Sequence, residues 1–477
     1  MPGTNPYIVK IKQSLMPAYR KYNHMKAGLI HFFMFGRNRE INDMLRDYNK
    51  CRAYGPRKHF CYVPMNNVLF SKEGKVQACS YNQKIILGYY PKKSINQILT
   101  GPVRRKLIKK HLANELTGGC EYCLNFLKTR KFNGIKPMTF DKYSSGYRLD
   151  RPRVLEFDLS SRCNLNCIMC NETNRDKIPP EIYDDNFIEQ LTPYLKHIKE
   201  AKFYGGEPFM IKQYYDIWEK IVQENPQTKI FVITNGTILN ENIKSLLERG
   251  IFEIGVSMDG MHKEVFEKVR VGANFEQVMK NVEWFSDYCK RKKTDLSVSL
   301  SVQRANWKEI PDFINYCNKL ECSVFFSYVY RPEDLSLWTL PPEEIDGIIT
   351  FFNQFNFPSE SEKEKYNLKC YHDIITHLKY WKHENESKAN INDIKDHAAF
   401  FVSRLEAYYK KKNSKNPGVE AVKTKDKIVN ELSKLGYGDK LQFVFKELNT
   451  MRIEDILIGM KTMKKEDLET QLKAWLR

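Results

Sequence analysis

The sequence predicts an α/β fold with a parallel sheet curved into an open, partial barrel. Two observations carry this. Six short apolar, β-branched runs follow residue 153: VLEFDLS, AKFYGG, KIFVITN, FEIGVSMDG, LSVSLSVQ and CSVFFSYVY. Helical patterns separate them, over roughly Pro180–Ile198, Lys212–Glu224, Glu241–Arg249, Phe275–Arg291 and Trp307–Leu320. Strand–helix alternation at this spacing calls for parallel strands with right-handed crossovers. Six units are too few to close an eight-unit barrel, so a TIM-like (β/α)6 arrangement fits, with its chemistry at the carboxyl ends of the strands.

At 477 residues the chain exceeds one ordinary core. Residues 1–58 read as a helical N-terminal extension. Residues 59–125 bear cysteines and a hairpin pattern, NNVLFSKEGKVQACS, in which alternating residues flank a Lys-Glu-Gly turn. Residues 126–150 are polar and Gly/Pro-punctuated, and read as a linker. The barrel takes 151–330, and 331–477 form a helical, charged C-terminal extension. Within that extension YYKKKNSKNPGVEAVKTKDK reads as a loop, and RIEDILIGMKTMKKEDLETQLKAWL as amphipathic helices.

A 42% hydrophobic and 13% aromatic composition is that of a globular chain. There is no run of eighteen apolar residues to span a membrane, and the N-terminal stretch is polar, without an apolar h-region. The expectation is a cytoplasmic protein with no membrane partner. The net charge of +19 is spread along the chain, and KRKK at Lys290–Lys293 and KKK at Lys410–Lys412 read as solvated helix ends. No nucleic-acid partner is inferred from it. Twelve cysteines are expected as reduced thiols. Cys289, Cys317 and Cys322 sit in apolar periodic segments and read as small core residues, and Cys51 and Cys370 are also scattered.

The remaining seven fall into two groups. After the first barrel strand comes LEFDLSSRCNLNCIMCNE, where Cys163, Cys167 and Cys170 give C-x3-C-x2-C. Thiolates suit iron–sulfur clusters and zinc. Three on one loop would leave the fourth iron of a cubane open to a small molecule. Structural zinc usually takes four ligands, and the nearest histidine, His197, falls on a helix. The second strand ends in FYGGEPFM, where Gly205 and Gly206 permit close backbone approach and Glu207 supplies an anion. The third ends in Thr234-Asn235-Gly236, the fourth in SMDG with Ser257 and Asp259, and Arg270 and Asn306 lie further on. A helix cap accounts for Asp259 or Asn306 nearly as well.

These motifs resemble the radical S-adenosylmethionine (SAM) superfamily. The resemblance implies a [4Fe-4S] cluster on Cys163, Cys167 and Cys170 whose open iron binds SAM. It further implies that Met169, before the third cysteine, contacts adenine through its backbone, and that Gly205, Gly206 and Glu207 meet the SAM amino group. Asn235, Ser257 and Asp259 would lie around the nucleotide, with the latter two on the ribose, and Arg270 would meet the SAM carboxylate.

Cys61, Cys79, Cys120 and Cys123 form C-x17-C-x40-C-x2-C, the last pair following Gly118 and Gly119. The region from FCYVPMNNVLFSKEGKVQACS to GGCEYC resembles a SPASM/twitch auxiliary-cluster domain, here placed before the barrel. The resemblance implies an auxiliary [4Fe-4S] cluster on these four thiolates; a structural zinc is the competing reading.

The function expected is therefore hydrogen abstraction by a 5′-deoxyadenosyl radical. A peptide or protein is the favoured substrate, and a small molecule such as a sugar or metabolite the alternative. An iron–sulfur electron carrier and an RNA-modifying enzyme are the remaining readings. A reductant such as flavodoxin or ferredoxin is the implied partner. No residue is singled out as catalytic acid, base or radical quencher.

Overall fold

The computed structural model describes residues 39–116, 118–128, 130, 132, 135–144, 146–170, 182–392, 396–434, 441–450, 453 and 456–457. It divides into two compact units: Met1–Ser301 with Asn315–Ser327, and Val302–Ile314 with Tyr328–Arg477. No helix among the described residues is long and apolar enough to cross a membrane.

The strands are β1 (Asn67–Ser71), β2 (Lys75–Gln77), β3 (Ile86–Tyr89), β4 (Val154–Asp158), β5 (Glu200–Phe203), β6 (Lys229–Thr234), β7 (Ile251–Ser257), β8 (Leu296–Val302) and β9 (Ser323–Tyr328). They form one nine-stranded mixed sheet in the order 3-2-1-4-5-6-7-8-9. From β4 to β8 each strand pairs in parallel with the next. Helices Asp185–Leu195, Lys212–Glu224, Glu241–Arg249, Phe275–Lys292 and Ile310–Leu320 fall between successive strands.

Side-chain alternation decides which face is dry. In β8, Leu296, Val298, Leu300 and Val302 are buried while Ser297, Ser299 and Ser301 are half-exposed. The dry face packs on the helices. Phe157 of β4 stacks on Phe203 of β5 at 4.9 Å, and Phe203 meets Trp218 at 5.2 Å. Burying such aromatics stabilises by roughly 1.5–3 kcal/mol each. Side-chain caps fix several helix starts: Asn240 accepts from the Ile243 N–H and Asn274 from the Gln277 N–H. The helix expected from Pro180 begins instead at Asp185, where Asp184 caps it. Residues 180 and 181 lie outside the described residues.

The hairpin forms as expected. Gly74, at φ +72°, makes its turn, and a Cβ there would lie 2.3 Å from the Tyr90 carbonyl oxygen. Its sheet is not separate, however. β1 pairs in parallel with β4 from Asn67↔Val154 to Ser71↔Asp158, so the cysteine-bearing segment and the barrel share one sheet. Both strands are apolar on the faces they bury, and an exposed β4 edge would leave backbone groups unpaired. The stretch 126–150, read as a linker, carries the end of helix Glu121–Lys128 and a short helix, Lys136–Phe140. Pro137 starts that helix, and Phe140 is buried in a core with Tyr48, Phe60 and Leu127. Arg104 stitches this region together: fully buried, it donates to the Pro64, Met65, Leu99 and Leu149 carbonyls.

The described part of 1–58 holds one helix, Arg39–Cys51; the remainder lies outside the described residues. In the second unit, helices Pro342–Phe352, Glu362–Asn392, His397–Lys411, Pro417–Lys434 and Leu441–Thr450 follow β9. The stretch read as a loop, YYKKKNSKNPGVEAVKTKDK, is mostly helix. Its break is confined to 412–416, where Asn413 takes φ +56° and Pro417 opens the next helix. The lysine-rich composition masked an apolar stripe of Ala421, Ile428 and Leu432, buried against Phe401 and Leu405. Most of RIEDILIGMKTMKKEDLETQLKAWL lies outside the described residues.

Candidate active site

The loop after β4 carries the first three cysteines. Gly205 and Gly206, after β5, hold its start. Tyr204 continues the ladder by donating to the Phe157 carbonyl, and the Gly206 N–H donates to the Ser160 carbonyl at 2.9 Å. The Glu207 N–H then donates to the Arg162 carbonyl at 2.7 Å. A Cβ at Gly205 would sit 2.4 Å from Ser160 O, and one at Gly206 would sit 2.0 Å from Arg162 O. The glycines are therefore required by the cysteine loop itself. The other side of the loop is tied by Asn166 N–H to the Val271 carbonyl and Ile168 N–H to the Val269 carbonyl.

Cys163, Cys167, Met169, Cys170, Gly205, Gly206, Asn235, Ser257 and Arg270 all line one cavity of ≈ 290 Å³ at the carboxyl ends of β4–β7. Ser161, Leu165, Tyr204, Ile233 and Thr234 complete it. Asn235 links the third strand to the loop: its amide donates to Asn164 Oδ1 at 2.9 Å and lies 3.7 Å from Cys163 Sγ. Its Oδ1 accepts from the Thr237 N–H, and Asn164 donates to Thr237 Oγ1. Neither Asn164 nor Thr237 was singled out from sequence; polar residues one and two positions from a motif were the available signal.

Glu207 and Asp259 stand apart from the expectation, since neither lines the cavity. The Glu207 carboxylate is fully buried. It accepts from Thr234 Oγ1 and the Asn235 N–H, both at 2.7 Å, and from the Phe209 N–H at 3.1 Å. Burial pushes its pKa up, against those hydrogen bonds and the Arg270 charge. The two glycines turn the chain against the cysteine loop, and the next side chain passes beneath the floor to partners at the end of β6, Thr234 and Asn235. Asp259 pairs with Arg270 at 2.7 Å and accepts from the Ser301 N–H. Arg270 also lies 4.0 Å from Cys167 Sγ. Burial raises the Cys167 thiol pKa, and Arg270 opposes this by favouring the thiolate. Asn306 falls in the second compact unit, where its side chain accepts from the Gln303 N–H.

Cys61, Cys79, Cys120 and Cys123 line a second, tighter cavity of ≈ 30 Å³ with His111, Asn82 and Lys136. The Asn82 amide points at Cys120 Sγ at 3.3 Å, and His111 Nε2 lies 3.7 Å from the same sulfur. Burial pushes the Cys120 thiol up to about 11 and Cys123 to about 12. All twelve cysteines are unbridged. Among the described residues no three His, Cys, Asp or Glu side chains are grouped as a single ion would require. The donor chemistry of both sets, soft sulfur at cavity walls, fits an iron–sulfur cluster, whose thiolates bind separate irons.

Residues 158–317 match the radical SAM superfamily model. Similar curated proteins include a GTP 3′,8-cyclase of Limosilactobacillus fermentum, 24% identical over 205 residues, 42% of this chain and 61% of that protein. A probable GTP 3′,8-cyclase of Methanocaldococcus jannaschii is 28% identical over 174 residues, 35% of this chain and 56% of that protein. The chain thus spans little more than half the length of these relatives. Similar solved structures include anSMEcpe with bound AdoMet, 21% identical, TM-score 0.34, covering 42% of this chain and 59% of that one. Another is Streptococcus suis SuiB bound to S-adenosylmethionine, 12% identical, TM-score 0.33, covering 55% and 59%. The match falls on the strands and the cysteine loop that build the larger cavity, so residues 158–317 are a radical SAM domain.

Proposed function

We propose that this chain cleaves SAM reductively at a [4Fe-4S] cluster held by Cys163, Cys167 and Cys170, and abstracts hydrogen from a small-molecule substrate. One observation carries the reading: the three cysteines share a cavity with Gly205, Gly206, Asn235, Ser257 and Arg270. When bound, the cluster supplies an open iron for the sulfonium nucleotide and the electron that splits it into methionine and a 5′-deoxyadenosyl radical. The chain supplies position. Gly205 and Gly206 lock the cysteine loop against β5, and Arg270 offers a cation at the cavity wall for the SAM carboxylate. Met169 and Ser257 border the space left for adenosine. Glu207 acts at one remove, by fixing Thr234 and Asn235.

A peptide was the expectation from the auxiliary-cluster resemblance. The similar proteins named GTP 3′,8-cyclase favour the small molecule instead. The tighter cysteine cavity supports an auxiliary [4Fe-4S] cluster on Cys61, Cys79, Cys120 and Cys123 in a SPASM/twitch-like setting, fully ligated and suited to electron relay. A one-electron donor such as flavodoxin or ferredoxin completes the scheme.

Anaerobic reconstitution followed by an assay for 5′-deoxyadenosine tests the core. Wild type should form it with dithionite, and replacing Cys163, Cys167 and Cys170 by Ala should abolish it. Persistence of the product in the triple variant would overturn the assignment. Metal analysis of that variant should still find about four irons; one zinc in their place would refute the auxiliary cluster alone.

A further inference from the structure

The four thiols of the second cavity are not held alike. Backbone N–H groups face three of them: Val63 at Cys61, Tyr81 and Asn82 at Cys79, and Lys136 at Cys123. Cys120 is met by side chains instead. The Asn82 amide lies 3.3 Å from its sulfur and His111 Nε2 lies 3.7 Å away. Asn82 is the nearer of the two, and it is fixed from several sides.

Asn82 is only 5% exposed. Its Oδ1 accepts from the Ile85 N–H at 3.1 Å, and its Nδ2 donates to the Gly118 carbonyl at 3.1 Å. A backbone N–H can only donate and a carbonyl can only accept, so these partners settle which end of the amide is nitrogen. The nitrogen end is the one at Cys120, and its second hydrogen is left for the sulfur. The backbone of Asn82 is tied as well. Its N–H donates to the Cys79 carbonyl at 3.2 Å, and its carbonyl accepts from Gln77 Nε2 at 3.1 Å. Gly119, at φ +98°, closes the space, since a Cβ there would lie 2.2 Å from Asn82 Oδ1. The cradle thus aims one N–H at one thiol. Its effect is visible on the free thiol: burial pushes the Cys120 pKa up, and Asn82 opposes this by favouring the thiolate.

A hydrogen bond to a ligating thiolate draws negative charge away from it. A reduced cluster carries one electron more than an oxidised one, so the bond stabilises the reduced form more and raises the reduction potential. We infer that Asn82 is a positioning residue of the auxiliary site, whose side-chain N–H, aimed at Cys120, raises the reduction potential of a [4Fe-4S] cluster bound there. This rests on the auxiliary-cluster reading above and assigns the setting of the relay's potential to one side chain.

The test is a redox titration of the reconstituted full chain carrying Cys163→Ala, Cys167→Ala and Cys170→Ala. Only the auxiliary cluster is then titrated, and electron paramagnetic resonance reads its reduced form. Asn82→Ala, added to this background, removes the donor without adding charge. At the background's own midpoint, its ratio of reduced to oxidised cluster should fall about tenfold, a drop of about 59 mV for a one-electron couple. Asn82→Asp keeps the acceptor for the Ile85 N–H but sets a carboxylate against the sulfur, and should fall further. A residue that merely shaped the loop would lower the melting temperature in Asn82→Ala and leave the potential where it was. A ratio within about twofold of the background's would overturn the inference. Where Asn82→Ala fails to fold or to bind about four irons, Asn82→Asp carries the comparison, and failure of both counts against the inference. Zinc or no metal in the background, before Asn82 is touched, removes the auxiliary-cluster reading and this inference with it. Iron present with an unmoved potential removes the inference alone.

Discussion

The carbonyl oxygen of Arg162 occupies the space that a Cβ on Gly206 would need, 2.0 Å from it. The contact lies one residue before Cys163, and both partners are backbone, so neither side can swing away. Gly206→Ala should push the start of the cysteine loop off β5. Overpacking of this kind costs typically 1–3 kcal/mol, and here the displacement falls on a thiolate that must meet an iron. The variant should fold with a lowered melting temperature and bind less than half the wild-type iron at the radical SAM site, read by iron analysis and visible absorbance. Full iron loading in Gly206→Ala would show that the loop tolerates the shift.

Glu207 offers a second test of the floor. Its two oxygens accept from Phe209 N–H, Thr234 Oγ1 and Asn235 N–H. A glutamine keeps the shape but turns one oxygen into a donor, facing another donor in a fully buried site. Such a mismatch costs about 1–3 kcal/mol. Glu207→Gln should therefore lower stability and weaken SAM binding through Asn235, with a smaller loss than Glu207→Ala. A Glu207→Gln variant that binds SAM as wild type does would show that the carboxylate holds nothing the site needs.

Much of this was legible in the sequence. Short apolar, β-branched runs marked all six barrel strands, and helices Lys212–Glu224 and Glu241–Arg249 have the bounds read from the sequence. The cysteine spacing marked the cavity, and Met169, Asn235, Ser257 and Arg270 do line it. What could not be read was direction. Glu207 and Asp259 sit in motifs beside the cavity, but whether a carboxylate points at a ligand or at a backbone N–H depends on a turn set by residues far along the chain. The Asp259–Ser301 bond spans two strands. The parallel pairing of β1 with β4 was equally invisible, because it joins segments more than eighty residues apart and leaves no local periodicity. The lysine-rich C-terminal helices were misread for the opposite reason: composition spoke louder than a thin apolar stripe.

A third prediction concerns the ground under the second cysteine cavity. Arg52 pairs with Asp141 at 3.1 Å and donates to the His59 and Phe60 carbonyls, just before Cys61. Burial raises the Asp141 pKa to about 6 from its usual 3.8, with Arg52 opposing. A carboxyl whose folded pKa is raised binds a proton more tightly when folded. Its contribution to stability is thus present below about pH 4 and is lost as pH rises towards 6. Two units correspond to about 3 kcal/mol. Urea unfolding at pH 4 and pH 7 should show wild type losing about 2–3 kcal/mol relative to Asp141→Asn across that interval. A constant difference between the two proteins would mean that Asp141 is ionised throughout.

The last prediction separates structure from binding at Arg270. Its guanidinium pairs with buried Asp259 and reaches Cys167, and the residue lines the cavity. Removing one partner of a buried pair strands the other, at a cost of about 3–5 kcal/mol. Arg270→Met alone should therefore lose both stability and SAM affinity, a result that a purely structural role would also give. The double variant Arg270→Met/Asp259→Met removes both charges and should regain most of the stability, because a matched apolar pair replaces a buried ionic one. It should not regain SAM affinity if the guanidinium meets the nucleotide's carboxylate. Equilibrium binding of SAM to the reconstituted proteins, set beside their melting temperatures, gives the answer. Recovery of affinity together with stability would make Arg270 a partner of Asp259 and nothing more.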